Sequence, residues 1–277
     1  MILNKPVKRV AVIHDICGVG KAALTNIIPI LSVMGVEPCP IPTMILSTHT
    51  GGFGMPCIVS NNNFVKNCEE HYSENEIKFE AIFVGYLGKL DNIKETIEFI
   101  ESNSSSKVIL DPIFGDNGKC YCNFDKKYVD GMKELIRYSD IITPNYTEAC
   151  LLVDEEYSKE YCREKLENIV LKLIELEAKK IVITSIPSVN DDEIGMAIYE
   201  NNKLTVIFEK KQNKSYPGTG DIFTSVLTGE LLQGKTLYDA TEKSHYFVSE
   251  CIKESSKYDY PTREGVLLER KLYLLLE

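Results

Sequence analysis

Pro217-Gly218-Thr219-Gly220-Asp221 concentrates more chemistry than any other stretch of the chain. Two glycines flank a threonine, and a carboxylate follows where an apolar run, Ile222–Leu232, begins. Glycine lets the backbone turn tightly and leaves its N–H groups unobstructed. The first turn of a helix adds unpaired N–H groups and the positive end of the dipole. Together they make a site for an anion. A carboxylate is a poor phosphate ligand, because like charges repel. It makes sense as a base that takes a proton from a hydroxyl while the amides hold a phosphoryl group. The competing reading is that Asp221 caps the helix.

Other segments carry compatible chemistry. Asp111-Pro112-Ile113-Phe114-Gly115-Asp116-Asn117-Gly118 puts two carboxylates at a strand end and in the turn after it. Acids beside a triphosphate signify Mg²⁺, bound directly or through water; an Asp-Pro turn with a solvated tip is the alternative. Glu148 follows Thr143, Pro144 and Asn145 at the start of a helix, where capping competes with a metal role. Thr184-Ser185 offers hydroxyls. Tyr86, between Gly85 and Gly88, suits stacking on a flat ring, or is a core tyrosine. Ser47–Gly54 is a polar, glycine-rich loop able to fold over a ligand. His49 within it reads more readily as a structural hydrogen-bonder than as a catalyst. Gly18-Val19-Gly20-Lys21 looks like a phosphate loop but fails, with Asp15 where a glycine is needed and Ala22 where Ser or Thr is needed. What remains is a flexible cover that brings Lys21 near phosphate.

The elements that must position these residues alternate in type. Lys8–Ile13, Glu80–Val84, Lys107–Leu110, Asp140–Thr143 and Lys180–Thr184 read as strands. Ala22–Met34, Ile93–Glu101, Tyr128–Tyr138 and Cys162–Leu176 read as helices, the first stopping at Gly35. Val36–Thr43 is extended. Glu193–Tyr199 and Leu204–Lys210 form an antiparallel hairpin around Asn201-Asn202, and helices dominate from Asp221 onward. Such alternation means βαβ units, a mainly parallel central sheet and helices on both faces, a three-layer α/β/α fold. Ligands gather at the carboxyl ends of the strands in such sheets, where Asp15, Tyr86, Asp111, Thr143 and Thr184 fall. No repeat or long linker divides residues 1–277, so one domain is expected.

A net charge of −10 argues against nucleic acid and anionic membrane as partners. Phosphate must then be held by local amides, a metal or a few lysines. No apolar run approaches the ~20 residues that span a bilayer. The start of the chain, Met-Ile-Leu-Asn-Lys-Pro-Val-Lys-Arg, lacks signal-peptide character, and a cytoplasmic location is expected. Nine cysteines with no C-x-x-C pair, and only four histidines, favour reduced, mostly buried thiols over zinc or disulfides.

Taken in order, these segments resemble the ribokinase-like superfamily and, within it, the pyridoxal/pyridoxine/pyridoxamine kinases. The carriers are Ser47-Thr48-His49-Thr50-Gly51, Gly85-Tyr86-Leu87-Gly88, Asp111–Asp116, Asp140–Asn145 with Glu148, Ile183-Thr184-Ser185 and Gly218–Asp221. The resemblance implies ATP-dependent phosphorylation of the 5′-hydroxyl of a vitamin B6 vitamer. Asp221 would be the base, and Gly218, Thr219 and Gly220 the anion hole. Asp111, Asp116, Thr143, Glu148 and Thr184 would face ATP and its metals, with Asp111 and Glu148 nearest the metal. Asp15, Thr43, His49 and Tyr86 would surround the pyridine ring. It further implies Mg²⁺, often a monovalent cation such as K⁺, and a homodimer. Asp15 departs from the serine usual at its position, and Ile16–Lys21 is a shorter loop. An aspartate facing the ring nitrogen would favour a protonated pyridinium. Hydroxymethylpyrimidine kinases share the phosphate machinery and are the nearest alternative. A non-catalytic binding protein is a third reading, disfavoured because binding has no need of Asp221.

Overall fold

The computed structural model describes residues 6–60 and 62–276. The first five residues, part of the start expected to lack signal-peptide character, lie outside the described residues. The chain runs β1 (Arg9–Val19), α1 (Leu24–Val33), β2 (Glu37–Thr48), β3 (Ile58–Val59), α2 (Phe64–Glu74), β4 (Ala81–Val84), α3 (Leu90–Ser102) and β5 (Lys107–Leu110). A small hairpin, β6 (Gly115–Asp116) and β7 (Lys119–Cys120), precedes α4 (Lys126–Arg137), β8 (Ile141–Ile142), α5 (Tyr146–Leu152) and α6 (Arg163–Glu175). Then follow β9 (Ile181–Ile186), β10 (Glu193–Glu200), β11 (Lys203–Lys210), α7 (Thr219–Leu232), α8 (Leu237–Ser255) and short 3-10 turns to Leu275.

Among the described residues, nine strands form one sheet in the order β11-β10-β9-β8-β5-β4-β1-β2-β3. Pairing is parallel from β2 to β9 and antiparallel at both edges, β2–β3 and β9–β10–β11. Strand side chains alternate between faces, and β1 shows the result. Ala11 and Ile13 join a core with residues of α2 to α6. Val10 and Val12 pack on the other face against Leu24, Ile27 and Leu31 of α1. Farther along that face, Ile141 and Val182 meet Phe223 and Leu227 of α7 and Ala240 of α8. Apolar burial on both faces makes the three-layer α/β/α sandwich, as expected from the alternation.

The parallel strands end in a staircase. Gly85 N–H donates to Ile13 O (2.9 Å), Asp111 N–H to Val84 O (2.8 Å) and Thr143 N–H to Leu110 O (2.8 Å). One edge thus carries the residues following β4, β5 and β8. Two expectations need correction here. β1 does not stop at Ile13: a bulge between His14 and Ile16 lets it continue beside β2, with Cys17 opposite Leu46 and Val19 opposite Thr48. Asp15 therefore lies inside a strand. Nor is Gly18–Lys21 a flexible cover. Gly18 and Val19 end β1, Lys21 N–H donates to Glu264 O (3.2 Å), and the Lys21 ammonium pairs with Glu269. The cysteines form no disulfide, and three of the nine are buried, three half-buried and three exposed.

Candidate active site

Gly218 caps α7 in the left-handed region, φ 77°. A Cβ there would lie 2.2 Å from the Lys21 carbonyl oxygen, so only glycine fits. No side chain caps the helix. The Asp221 carboxylate, in the first turn and buried, bonds elsewhere: Oδ2 accepts from Ala23 N–H (2.6 Å), and Oδ1 lies 3.1 Å from His14 Nε2. Asp221 is therefore no cap of its own helix. The first-turn amides of α7 are left for an anion beside a carboxylate held by other elements.

His14, which the sequence reading passed over, joins Asp221 to Asp15. The residue is 1 % exposed, with Nδ1 2.8 Å from Asp15 Oδ1. Burial opposes a charge on the imidazole. The charge of Asp221 and the hydrogen bonds to Asp15 and Asp221 outweigh it and push the pKa up to about 10. The ring is then an imidazolium that donates from both nitrogens to two carboxylates. The other oxygen of Asp15, Oδ2, accepts from the Cys17 thiol (3.3 Å). Burial first and the Asp15 charge second hold that thiol far up, in its neutral form.

Asp111, just past β5, accepts at Oδ2 from the Thr224 hydroxyl of α7 (3.1 Å), which also lies 3.1 Å from Thr143 Oγ1. Burial and the nearby Asp221 charge raise the Asp111 carboxyl to about 7, against the pull of Thr224 and His14. Glu148 forms a capping box on α5: Oε2 accepts from Asn145 N–H (2.8 Å), and Asn145 Oδ1 accepts from Glu148 N–H (2.9 Å). Its Oε1 accepts from Phe114 N–H (3.1 Å) and Gly115 N–H (3.4 Å). Burial and the Asp111 charge still hold Glu148 well above the usual carboxylate range. Among the described residues no lysine or arginine pairs with either acid, and only Thr224 donates to Asp111. Two mutually repelling buried carboxylates could together hold a divalent cation. Among the described residues no three His, Cys, Asp or Glu side chains make a complete cage. The remaining ligands of such a cation would have to come from water and phosphate.

The other expected residues are placed unequally. Asp116 is exposed at the end of β6, where it accepts from the N–H and side-chain amide of Asn117 (2.8 and 2.9 Å). Thr184 lies within β9, half-buried, its N–H bonded to Pro144 O (3.0 Å). Thr43 is buried and donates to Tyr86 O (2.9 Å), while Tyr86 Oη accepts from Asn123 (2.7 Å) and its ring packs near Phe124. His49 accepts from Gly51 N–H at Nδ1 (3.0 Å), so Nε2 carries the proton donated to Arg263 O (2.6 Å). Both ring nitrogens thus serve the loop, and neither is left for a ligand. Thr224 and Ala23 were missed along with His14. The one local signal was the His14-Asp15 doublet at the end of an apolar strand run.

A three-layer sheet with acids along its carboxyl edge, facing a glycine-led helix N-terminus, is the architecture of ribokinase-like phosphotransferases. The chain belongs to the phosphomethylpyrimidine kinase family, whose pattern matches residues 28–263. It is 25% identical to a hydroxymethylpyrimidine/phosphomethylpyrimidine kinase of Aquifex aeolicus over 66% of this chain and 70% of that one. The chain spans roughly two thirds of the length of such curated relatives. A Bacteroides thetaiotaomicron structure assigned as a phosphomethylpyrimidine kinase is 36% identical, with a TM-score of 0.94 over 99% of this chain and 96% of that one. A second crystal form of that protein holds pyridoxal. Pyridoxal kinase of Lactobacillus plantarum is 28% identical, with a TM-score of 0.90 over 97% and 96% of the two chains. The protein is accordingly a kinase of the pyridoxal kinase/hydroxymethylpyrimidine kinase family. The expected B6 branch thereby widens to a group with two substrate classes.

Proposed function

We propose that the protein transfers the γ-phosphoryl group of ATP to the hydroxymethyl group of a vitamin B6 vitamer, with Asp221 as general base. The observation that carries this is the Asp221 carboxylate, held off its own helix beside the uncapped amides of α7. The substrate hydroxyl gives its proton to Asp221 as its oxygen bonds to the γ-phosphorus. The bond from that phosphorus to the β–γ bridging oxygen breaks, and its electrons leave with ADP. The α7 amides receive the charge on the transferring group. Mg²⁺ near Asp111 and Glu148 would neutralise phosphate charge. Tyr86, whose backbone carbonyl accepts from Thr43, would stack on the flat ring. Pyridoxal in the Bacteroides relative favours a B6 vitamer. The family pattern and the Aquifex relative favour hydroxymethylpyrimidine as the second reading.

A coupled assay of ADP formation with pyridoxal, pyridoxine, pyridoxamine and hydroxymethylpyrimidine tests it. The highest kcat/KM is expected with a B6 vitamer. The reverse ranking makes the protein a pyrimidine kinase, and no turnover with any of the four overturns both readings.

A further inference from the structure

His14 is held on every side. Gly85, directly after β4, has room only for hydrogen, because a Cβ would lie 2.0 Å from His14 Cδ2 and 2.4 Å from Nε2. Phe83 of β4 meets the ring edge-on, with centroids 6.2 Å apart and planes at 87°. Asp15 fixes Nδ1 from within the bulge of β1. The imidazole cannot pivot, and its Nε2 is aimed at Asp221 Oδ1. Ala23 N–H alone would fix one carboxylate oxygen and leave the group free to swing about it; a second donor on the other oxygen fixes the plane.

We propose that His14 is a positioning residue, anchored by Asp15, that orients the Asp221 carboxylate for proton acceptance. This rests on the reading of Asp221 as base. Displacement of a reacting group by a fraction of an ångström is costly in turnover, so a rigid clamp has a direct kinetic effect. The groups facing the ring are Asp15 and Asp221 by contact, with Cys17 beside Asp15 and Asp111 beyond Asp221. The imidazolium is the only cation in that acidic set, and it reduces the repulsion an incoming phosphate meets. A buried histidine kept merely for packing would need neither the anchor nor the cut-away at Gly85.

The test uses His14→Ala, His14→Gln and Gly85→Ala in the full-length protein. His14→Ala is expected to lower kcat about ten- to a hundredfold, the loss of one charged hydrogen bond, with both KM values nearly unchanged. Added imidazole should restore part of that rate, and should restore none in Asp221→Asn. His14→Gln, which keeps a donor amide, should lose less, and Gly85→Ala should follow His14→Ala. An unchanged kcat, or a loss confined to KM, overturns the proposal. So does a lower melting temperature with no imidazole rescue. Histidine ¹⁵N NMR of the ligand-free wild type supplies a readout independent of substrate. Both His14 nitrogens should be protonated at neutral pH, and the Nε2 signal should move in Asp221→Asn. A neutral ring overturns the clamp even if the enzyme is active. Absence of turnover with every heterocycle would overturn the kinase reading while the NMR still decides the clamp.

Discussion

Asp221→Asn removes one oxygen's worth of charge and little volume, and the site predicts two linked consequences. The carboxylate now accepts from Ala23 N–H and faces His14 Nε2. An amide has one acceptor oxygen; if Ala23 keeps it, the NH₂ group faces His14 and the imidazole must lose its proton. Turnover should fall by roughly 10²–10⁴, the usual contribution of a general base. Stability should change in a pH-dependent way. His14 moves from 6.5 to about 10 on folding, a preference on the order of 5 kcal/mol for the charged ring. A folded-state pKa above the unfolded one stabilises fully below pH 6.5, and that stability is lost as pH rises to about 10. The Asp221 charge is the largest of the contributions that raise it, against the opposing effect of burial. In the asparagine variant the decline across that window should shrink by more than half. Urea unfolding of the ligand-free wild type and variant at several pH values, with kcat measured on the same samples, checks both. Turnover within a few-fold of wild type would remove Asp221 as base. An undiminished pH slope would remove the His14–Asp221 pair.

Asp111→Asn is expected to raise the Mg²⁺ concentration needed for half-maximal rate several-fold, read from a metal titration of the coupled assay; full activity in excess chelator would refute the cation role. Tyr86→Leu should raise KM for the heterocycle about two- to tenfold, the worth of one aromatic contact, and leave KM for ATP unchanged in the same assay.

What the sequence disclosed follows from how local each signal is. The Asn201-Asn202 turn was legible because both residues take positive φ, 53° and 58°, as a two-residue hairpin turn demands. Helix α2 escaped notice: Phe64–Glu74 is polar, and only Val65 is fully buried, so no apolar stripe marks it. β6 and β7, two residues each, offer no period to read. At the site, Asp221 and Asp111 stood out because glycine and strand context surround them. His14 did not, since one histidine after Val-Ala-Val-Ile looks like the end of a strand. Its meaning comes from Asp221, 207 positions away, and from the bulge that turns Asp15 toward its ring. Glu148 shows the opposite case, where the capping reading of a local pattern holds: the capping box is formed, and the carboxylate lies buried where it feels the Asp111 charge.

Ala23 ties these observations together. Its backbone stands at φ 59°, ψ −144°, a region nearly closed to residues with a Cβ and costing ~1–3 kcal/mol. Its amide holds Asp221, while its methyl is packed with Cys17 and Leu46 from the part of β1 and β2 that runs beyond the end of β4. One small residue thus links β1 and β2, through its methyl, to the Asp221 carboxylate, through its amide. The strained backbone at position 23 is therefore held by two contacts at once, the packing of its methyl and the hydrogen bond of its amide to Asp221.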